Sequence, residues 1–111
     1  MIEKTIYDFM NTKIDVPCYM MRQETIPDTY VVIEKTGGSK ENHLIRSTFA
    51  FQSYAPTLAQ AAELNEAVKA AAEELVELDD ITASRYNSDY NFTNTATKQP
   101  RYQAVFDVYH Y

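Results

Sequence analysis

Residues 47–78, STFAFQSYAPTLAQAAELNEAVKAAAEELVEL, decide how the chain is read. The run begins inside a strand-like segment, residues 42–54. There Ile45, Phe49 and Phe51 share one parity with Ser47 and Ser53 interleaved, and Arg46, Thr48 and Gln52 hold the other. Side chains alternate across a strand, so this segment has one apolar face and one mixed face. Pro56 and Thr57 end it, and Thr57 with Gln60 has the spacing of a capping box, so a helix starts there. Leu58, Ala61, Ala62, Leu64, Val68, Ala71, Ala72, Leu75 and Val76 form a broad apolar stripe. Glu63, Glu66, Glu73, Glu74 and Glu77 fall largely away from it. The stripe predicts a long helix lying across a sheet, with small alanines allowing close approach.

Upstream, residues 29–35 (TYVVIEK) contain consecutive β-branched residues and predict a second strand. Thr36, Gly37, Gly38 and Ser39 give the turn signal that joins it to 42–54 as an antiparallel hairpin, and 36–42 (TGGSKEN) reads as a flexible insertion. Further upstream, Ile2, Ile6, Phe9 and Met10 recur at helical spacing and predict a short helix over 2–12, its end bracketed by Asn11 and Pro17. Residues 18–21 are a short strand or an extended approach. Downstream, 81–91 predicts a strand, 93–99 (NTATKQP) a polar loop, and 101–111 a final strand. In that last strand Tyr102, Ala104, Phe106 and Val108 face one way, and Arg101, Gln103 and Asp107 the other. The order α-β-β-α-β-β is an α+β class: a mainly antiparallel sheet with one long helix and a short N-terminal helix packed on it, forming a single domain over 1–111.

The chain's 111 residues suffice to bury roughly 65% of the surface of the unfolded chain, so folding needs no metal or disulfide. Nine Tyr and five Phe, with no Trp, suit half-exposed strands and protein interfaces. The net charge of -6 leaves no electrostatic footprint for phosphate. Cys18 has no second cysteine to pair with and lies in the apolar run 16–21, where it reads as a small buried hydrophobe in a reducing context. The N-terminus lacks an apolar core of signal-peptide length. No stretch approaches ~18 apolar residues, so no membrane span is expected.

Candidate chemistry is sparse. His43 and His110 both fall on predicted strands, without a second ligand at HxxxH or HExxH spacing, and read as surface or interface imidazoles. No GxSxG occurs. Gly37–Gly38 lacks the GxGxxG and Walker patterns and reads as a hairpin turn. Glu66, Glu73, Glu77, Asp79 and Asp80 lie near one another, but a di-metal bundle would need Glu-x-x-His pairs, which are absent. The expectation is therefore no catalytic, cofactor or metal site, and a protein that touches other proteins. The Asn91-Phe92-Thr93 sequon is read as chance. One oddity is the crowding of Glu74, Glu77, Asp79 and Asp80 at the helix C-terminus, where the macrodipole disfavours anions. Basic groups of a neighbouring subunit are one way to offset it.

Across the segments TYVVIEKTGGSKENHLIRSTFAFQSYAPTLAQAAELNEAVKAAAEEL and ITASRYNSDYNFTNTATKQPRYQAVFDVYHY, the chain resembles the phage tail-terminator and tail-completion proteins in length, element order and texture. The resemblance implies a hexameric ring that caps the tail tube, stops its elongation and presents a docking face to the head connector. Its partners would be further copies of itself, the tail-tube protein and the connector protein. It would reside in the virion after assembly in the bacterial host cytoplasm. A ring through which DNA passes should not grip phosphate, which suits an acidic chain. Heterologous contacts in such a ring need complementary charge. Here Glu73, Glu77, Asp79 and Asp80 supply the anionic side and Arg46, Arg85 and Arg101 the cationic side, with Tyr102 and Tyr109 adding aromatic area. The alternative reading is a dimeric ligand-binding or regulatory α+β domain.

Charge generates a first test. No tight binding to duplex DNA is expected at physiological salt; sub-micromolar affinity in an anisotropy titration would overturn both this expectation and the idea of a non-adhesive lumen.

Overall fold

A computed structural model describes residues 1–21 and 27–111. Helix α1 (Ile2–Lys13) leads into β1 (Cys18–Tyr19), then β2 (Tyr30–Glu41) and β3 (Leu44–Tyr54). Helix α2 (Leu58–Glu73) continues through a 3₁₀ turn (Glu74–Glu77) into β4 (Ile81–Asn91) and β5 (Arg101–His110). This is the α+β fold expected, with the two-residue β1 added at one edge. No helix among the described residues is long and apolar enough to cross a membrane.

The strands form one sheet in the order β1-β2-β3-β5-β4, antiparallel except for β1 against β2. The last strand therefore sits inside the sheet, bonded to β3 on one side and β4 on the other. The 12 residues of β2 span about 40 Å at ~3.4 Å per residue. The strand direction thus accounts for the molecule's long axis, 43 Å against 25 and 24 Å across.

Both helices pack on one face. Val31 and Ile33 of β2, Phe49 and Phe51 of β3, and Ala104, Phe106 and Val108 of β5 meet Val68, Ala71, Ala72 and Leu75 from α2 and its 3₁₀ extension. Ile6 and Met10 of α1 and the thiol of Cys18 join the same core. Burial pushes the Cys18 thiol up to about 12, so it is protonated and unreactive in the folded chain. Phe106 lies at the centre, edge-on to Phe51 at 6.0 Å and to Tyr86 at 5.9 Å.

Thr57 caps α2 as the spacing predicts, its Oγ1 accepting from the Gln60 amide at 3.2 Å. The apolar stripe needs correction at both ends. Leu58, the first residue of α2, is 42% exposed, and Val76, in the 3₁₀ turn where the helical period tightens, is 48% exposed. Within the stripe, the polar Asn65 is fully buried.

The main revision concerns the first hairpin. Its turn is not at residues 36–39. β2 continues through both glycines to Glu41, and Asn42 and His43 make a two-residue turn with φ of 51° and 69°. Paired positive φ values match strand twist, and asparagine tolerates them well. His43 is therefore a turn residue rather than a strand residue. Neither glycine has positive φ. A β-carbon on Gly38 would lie 3.1 Å from the Arg46 carbonyl oxygen, so that glycine permits close strand approach rather than reversal. An extra residue at Thr36 bulges β2 between Lys35 and Gly37. Elsewhere boundaries move by one or two residues. Helix α1 runs past Asn11 to Lys13, because the Asn11 side chain bonds the Tyr7 carbonyl within the helix and accepts from the Cys18 amide at 3.0 Å. β3 starts at Leu44 and β5 ends at His110.

Val68 sits fully buried where α2 crosses the sheet. Val68→Asp should lower stability by several kcal/mol in urea unfolding, since an unpaired charge would enter the core. A variant that melts like the parent would show that the buried face of α2 is assigned wrongly.

Candidate interaction surface on the open face of the sheet

With both helices on one side, the opposite face has no covering layer among the described residues. The parity read from β3 and β5 places Thr48, Gln52, Gln103 and Asp107 there. These side chains bond one another across the strands. Gln52 Nε2 donates to Gln103 Oε1 at 2.9 Å, and Gln103 Nε2 donates to the Tyr90 hydroxyl at 2.7 Å. Thr48 Oγ1 and Asn87 Nδ2 both donate to the Asp107 carboxylate, at 2.7 and 3.2 Å. Polar cross-strand pairs of this kind hold a sheet face that no second layer covers.

Aromatic clusters close the two ends of this face. At one, Tyr30 and Tyr54 stack at 4.5 Å, with Tyr19 tilted against them. Arg101 belongs to this end. Its Nη1 donates to the Tyr54 hydroxyl at 2.9 Å and its Nε to the Phe92 carbonyl at 2.8 Å. Its guanidinium lies over the Phe92 ring at 4.4 Å. Arg101 is thus engaged inside its own chain. At the other end Tyr109 stands opposite Arg46 in the β3–β5 register, with the Arg85 guanidinium 5.6 Å from its ring centroid. Ser39, Asn42, Leu44, Arg46, Tyr109 and Tyr111 line a concavity of about 500 Å³ there. Tyr102 is on the helix side of β5, opposite Ser53, so Tyr102 and Tyr109 do not share a surface.

The acidic residues divide as well. Lys13 at the end of α1 reaches Glu74 at 3.1 Å and Glu77 at 3.4 Å. Hydrogen bonds to these two carboxylates raise the pKa of the lysine. The anionic helix end is therefore offset from within the chain, where sequence reasoning looked to a neighbouring subunit. Glu73, Asp79 and Asp80 are exposed, and no ion pair reaches them among the described residues.

Two sites escaped the sequence reading. His110 is buried rather than displayed. Its Nδ1 donates to the Tyr111 carbonyl at 3.2 Å, leaving Nε2 to accept from the Ser47 hydroxyl at 2.9 Å. Ser47 is itself fully buried, so this serine–histidine contact ties β3 to β5 instead of presenting a nucleophile to solvent. The second site joins α2 to β4. Asn65 Nδ2 and Lys69 Nζ donate to Asp89 Oδ2 at 2.8 and 3.0 Å, and the Tyr86 hydroxyl donates to Asp89 Oδ1. The Tyr86 hydrogen bond, then those of Lys69 and Asn65, hold the Asp89 pKa below the usual carboxylate range against its partial burial. Lys69 is raised by Glu66 and Asp89, and Tyr86 is raised by Asp89. The available signal was Asn65 itself, a polar residue in register with Ala61, Val68 and Ala72 on the apolar stripe. Among the described residues no group of three His, Cys, Asp or Glu side chains converges as a metal site.

Comparison of the chain with protein-family models and with curated proteins finds no match.

The Asp89 network sets a test. Asp89→Ala strands the Asn65 amide and leaves Lys69 with Glu66 alone, and should cost about 1–3 kcal/mol in urea unfolding at neutral pH. The folded-state pKa of Asp89 is depressed, so its contribution is full above the unfolded value of roughly 3.9 and fades as pH falls through the lower folded value. The parent–variant difference should therefore shrink in acid. A difference that stays constant with pH would rule out the charged network.

Proposed function

We propose that the chain is a structural protein of a phage or prophage particle, a ring-forming subunit that caps the tail tube, stops its elongation and joins the tail to the head connector. The observation that carries this reading is the uncovered sheet face, which holds ordered aromatic and arginine side chains. Such a face fits protein contact, since tyrosine and arginine are enriched where interfaces bury their centres. Bulges at Thr36 on β2, and at Thr82 and Asn87 on β4, interrupt the outer strands, and such interruptions discourage straight edge-to-edge pairing. This favours association through the face and the acidic turn. The net charge of -6 suits a lumen that DNA must pass without adhering. In this reading the protein assembles in the host cytoplasm and remains in the virion, and it binds its own copies, the tube protein and the connector protein.

A second reading, the dimeric ligand-binding or regulatory domain, draws on the concavity beside Tyr109, whose size falls in the range of small-ligand sites. The two separate in one experiment. Purified protein mixed with tail tubes of the parent phage should decorate tube ends in electron micrographs. Undecorated ends, together with a monomer or stable dimer at every concentration by light scattering, would remove the ring reading.

A further inference from the structure

The described cations are not used alike. Lys4, Lys13 and Lys69 each hold a carboxylate within 3.4 Å. Arg101 is bonded to Tyr54 and Phe92. Lys35, Lys40, Lys98, Arg46 and Arg85 hold no carboxylate among the described residues, and of these the two arginines stand on the open face beside Tyr109. Both are exposed, and neither makes an ion pair or a hydrogen bond among the described residues. Arg85 has an anion directly opposite it in register, Asp107, yet that carboxylate takes its bonds from Thr48 and Asn87. The guanidinium instead lies over Tyr109. Two planar, donor-rich cations thus flank one tyrosine beside a concavity walled by Leu44, Tyr109 and Tyr111.

The complementary feature is on the same chain. Lys13 pairs with Glu74 and Glu77 but does not reach Asp79 and Asp80. These two consecutive carboxylates stand exposed on the turn that follows the 3₁₀ segment. The carbonyl end of the α2–3₁₀ helix adds partial negative charge beside them. The turn is anchored, since the Asp80 carbonyl accepts from the Tyr111 amide. Adjacent carboxylates on a fixed turn suit two arginines, because guanidinium groups recognise carboxylates with paired donors.

We propose that the concavity lined by Arg46 and Tyr109, with Arg85 beside it over the Tyr109 ring, is the docking site for the Asp79–Asp80 turn of a second copy of this chain. The turn adjoins the concavity through Tyr111 without lining it, and in a ring the contact is heterologous: one copy donates its turn and offers its concavity to the next. This rests on the self-association in the ring reading and names the residues that carry it. It leaves out Glu77 and Arg101, which are engaged within their own chain.

The test is charge reversal followed by sedimentation velocity over a concentration series. The parent should self-associate, and more weakly as salt is raised, because exposed charges are screened. R46E/R85E should weaken association about tenfold or more, and D79K/D80K should do the same. The milder pair R46Q/R85Q should weaken it less. All these side chains are exposed, so circular dichroism should match the parent. The chain carrying R46E, R85E, D79K and D80K together should regain association, since the complementary charges have exchanged places. A parent that stays monomeric throughout, a reversal without effect, or a combined variant that fails to recover would each overturn the proposal. Monomers that nevertheless decorate tube ends would sink this contact and leave the ring reading standing. Charge-rescued association without tube-end binding would do the opposite.

Discussion

Everything in this fold depends on the row Ala104, Phe106 and Val108 being pressed beneath α2. These side chains project from β5, which is bonded on both sides, so their positions are set by two ladders at once. Phe106 sits edge-on to rings from β3 and β4, and so fixes the distance between its neighbours as well as the floor for Val68 and Ala72. Alternation along a strand is strict. A slip of one residue in β5 would turn this row to the open face and bring Gln103 and Asp107 under the helix. The same register therefore decides both the core and the polar ladder behind it.

Supply of helix is the second constraint. Two helices, of 12 and 16 residues, cover one face of a sheet whose strands reach 12 residues. The other face has to be stable without a layer above it, and its composition answers that requirement. Amides, hydroxyls and one carboxylate bond across β3, β5 and β4, while stacked tyrosines and Arg101 close one end. A surface organised in this way is already rigid, so a partner that docks there need not order it first.

Charge is likewise handled at short range. Lys13 draws α1 against the anionic end of α2, and Lys69 with Asn65 draws α2 against Asp89 of β4. Among the groups that no ion pair reaches in the described residues, Arg46 and Arg85 stand on the open face and Asp79 and Asp80 on the turn. That leftover pattern, rather than the total charge, is what gives the surface its directional character.

The sequence by itself determined what local physics controls. The period of residues 58–76 made a helix, Thr57 placed its start, and the parity of residues 101–111 separated Phe106 from Asp107 across the sheet. It misread the Gly37–Gly38 pair, because two glycines signal reversal unless a neighbouring strand needs close approach, and that need is visible only once Arg46 lies alongside. It could not show that Lys13 would meet Glu74, that His110 would bond Ser47, or that Asn65 would find Asp89, since each pair is brought together by chain segments far apart in sequence. Above all, tertiary structure decided that β5 enters between β3 and β4. Two hairpins of fixed parity can be joined in more than one order, and only the shared burial of their apolar faces under a single helix selects this one.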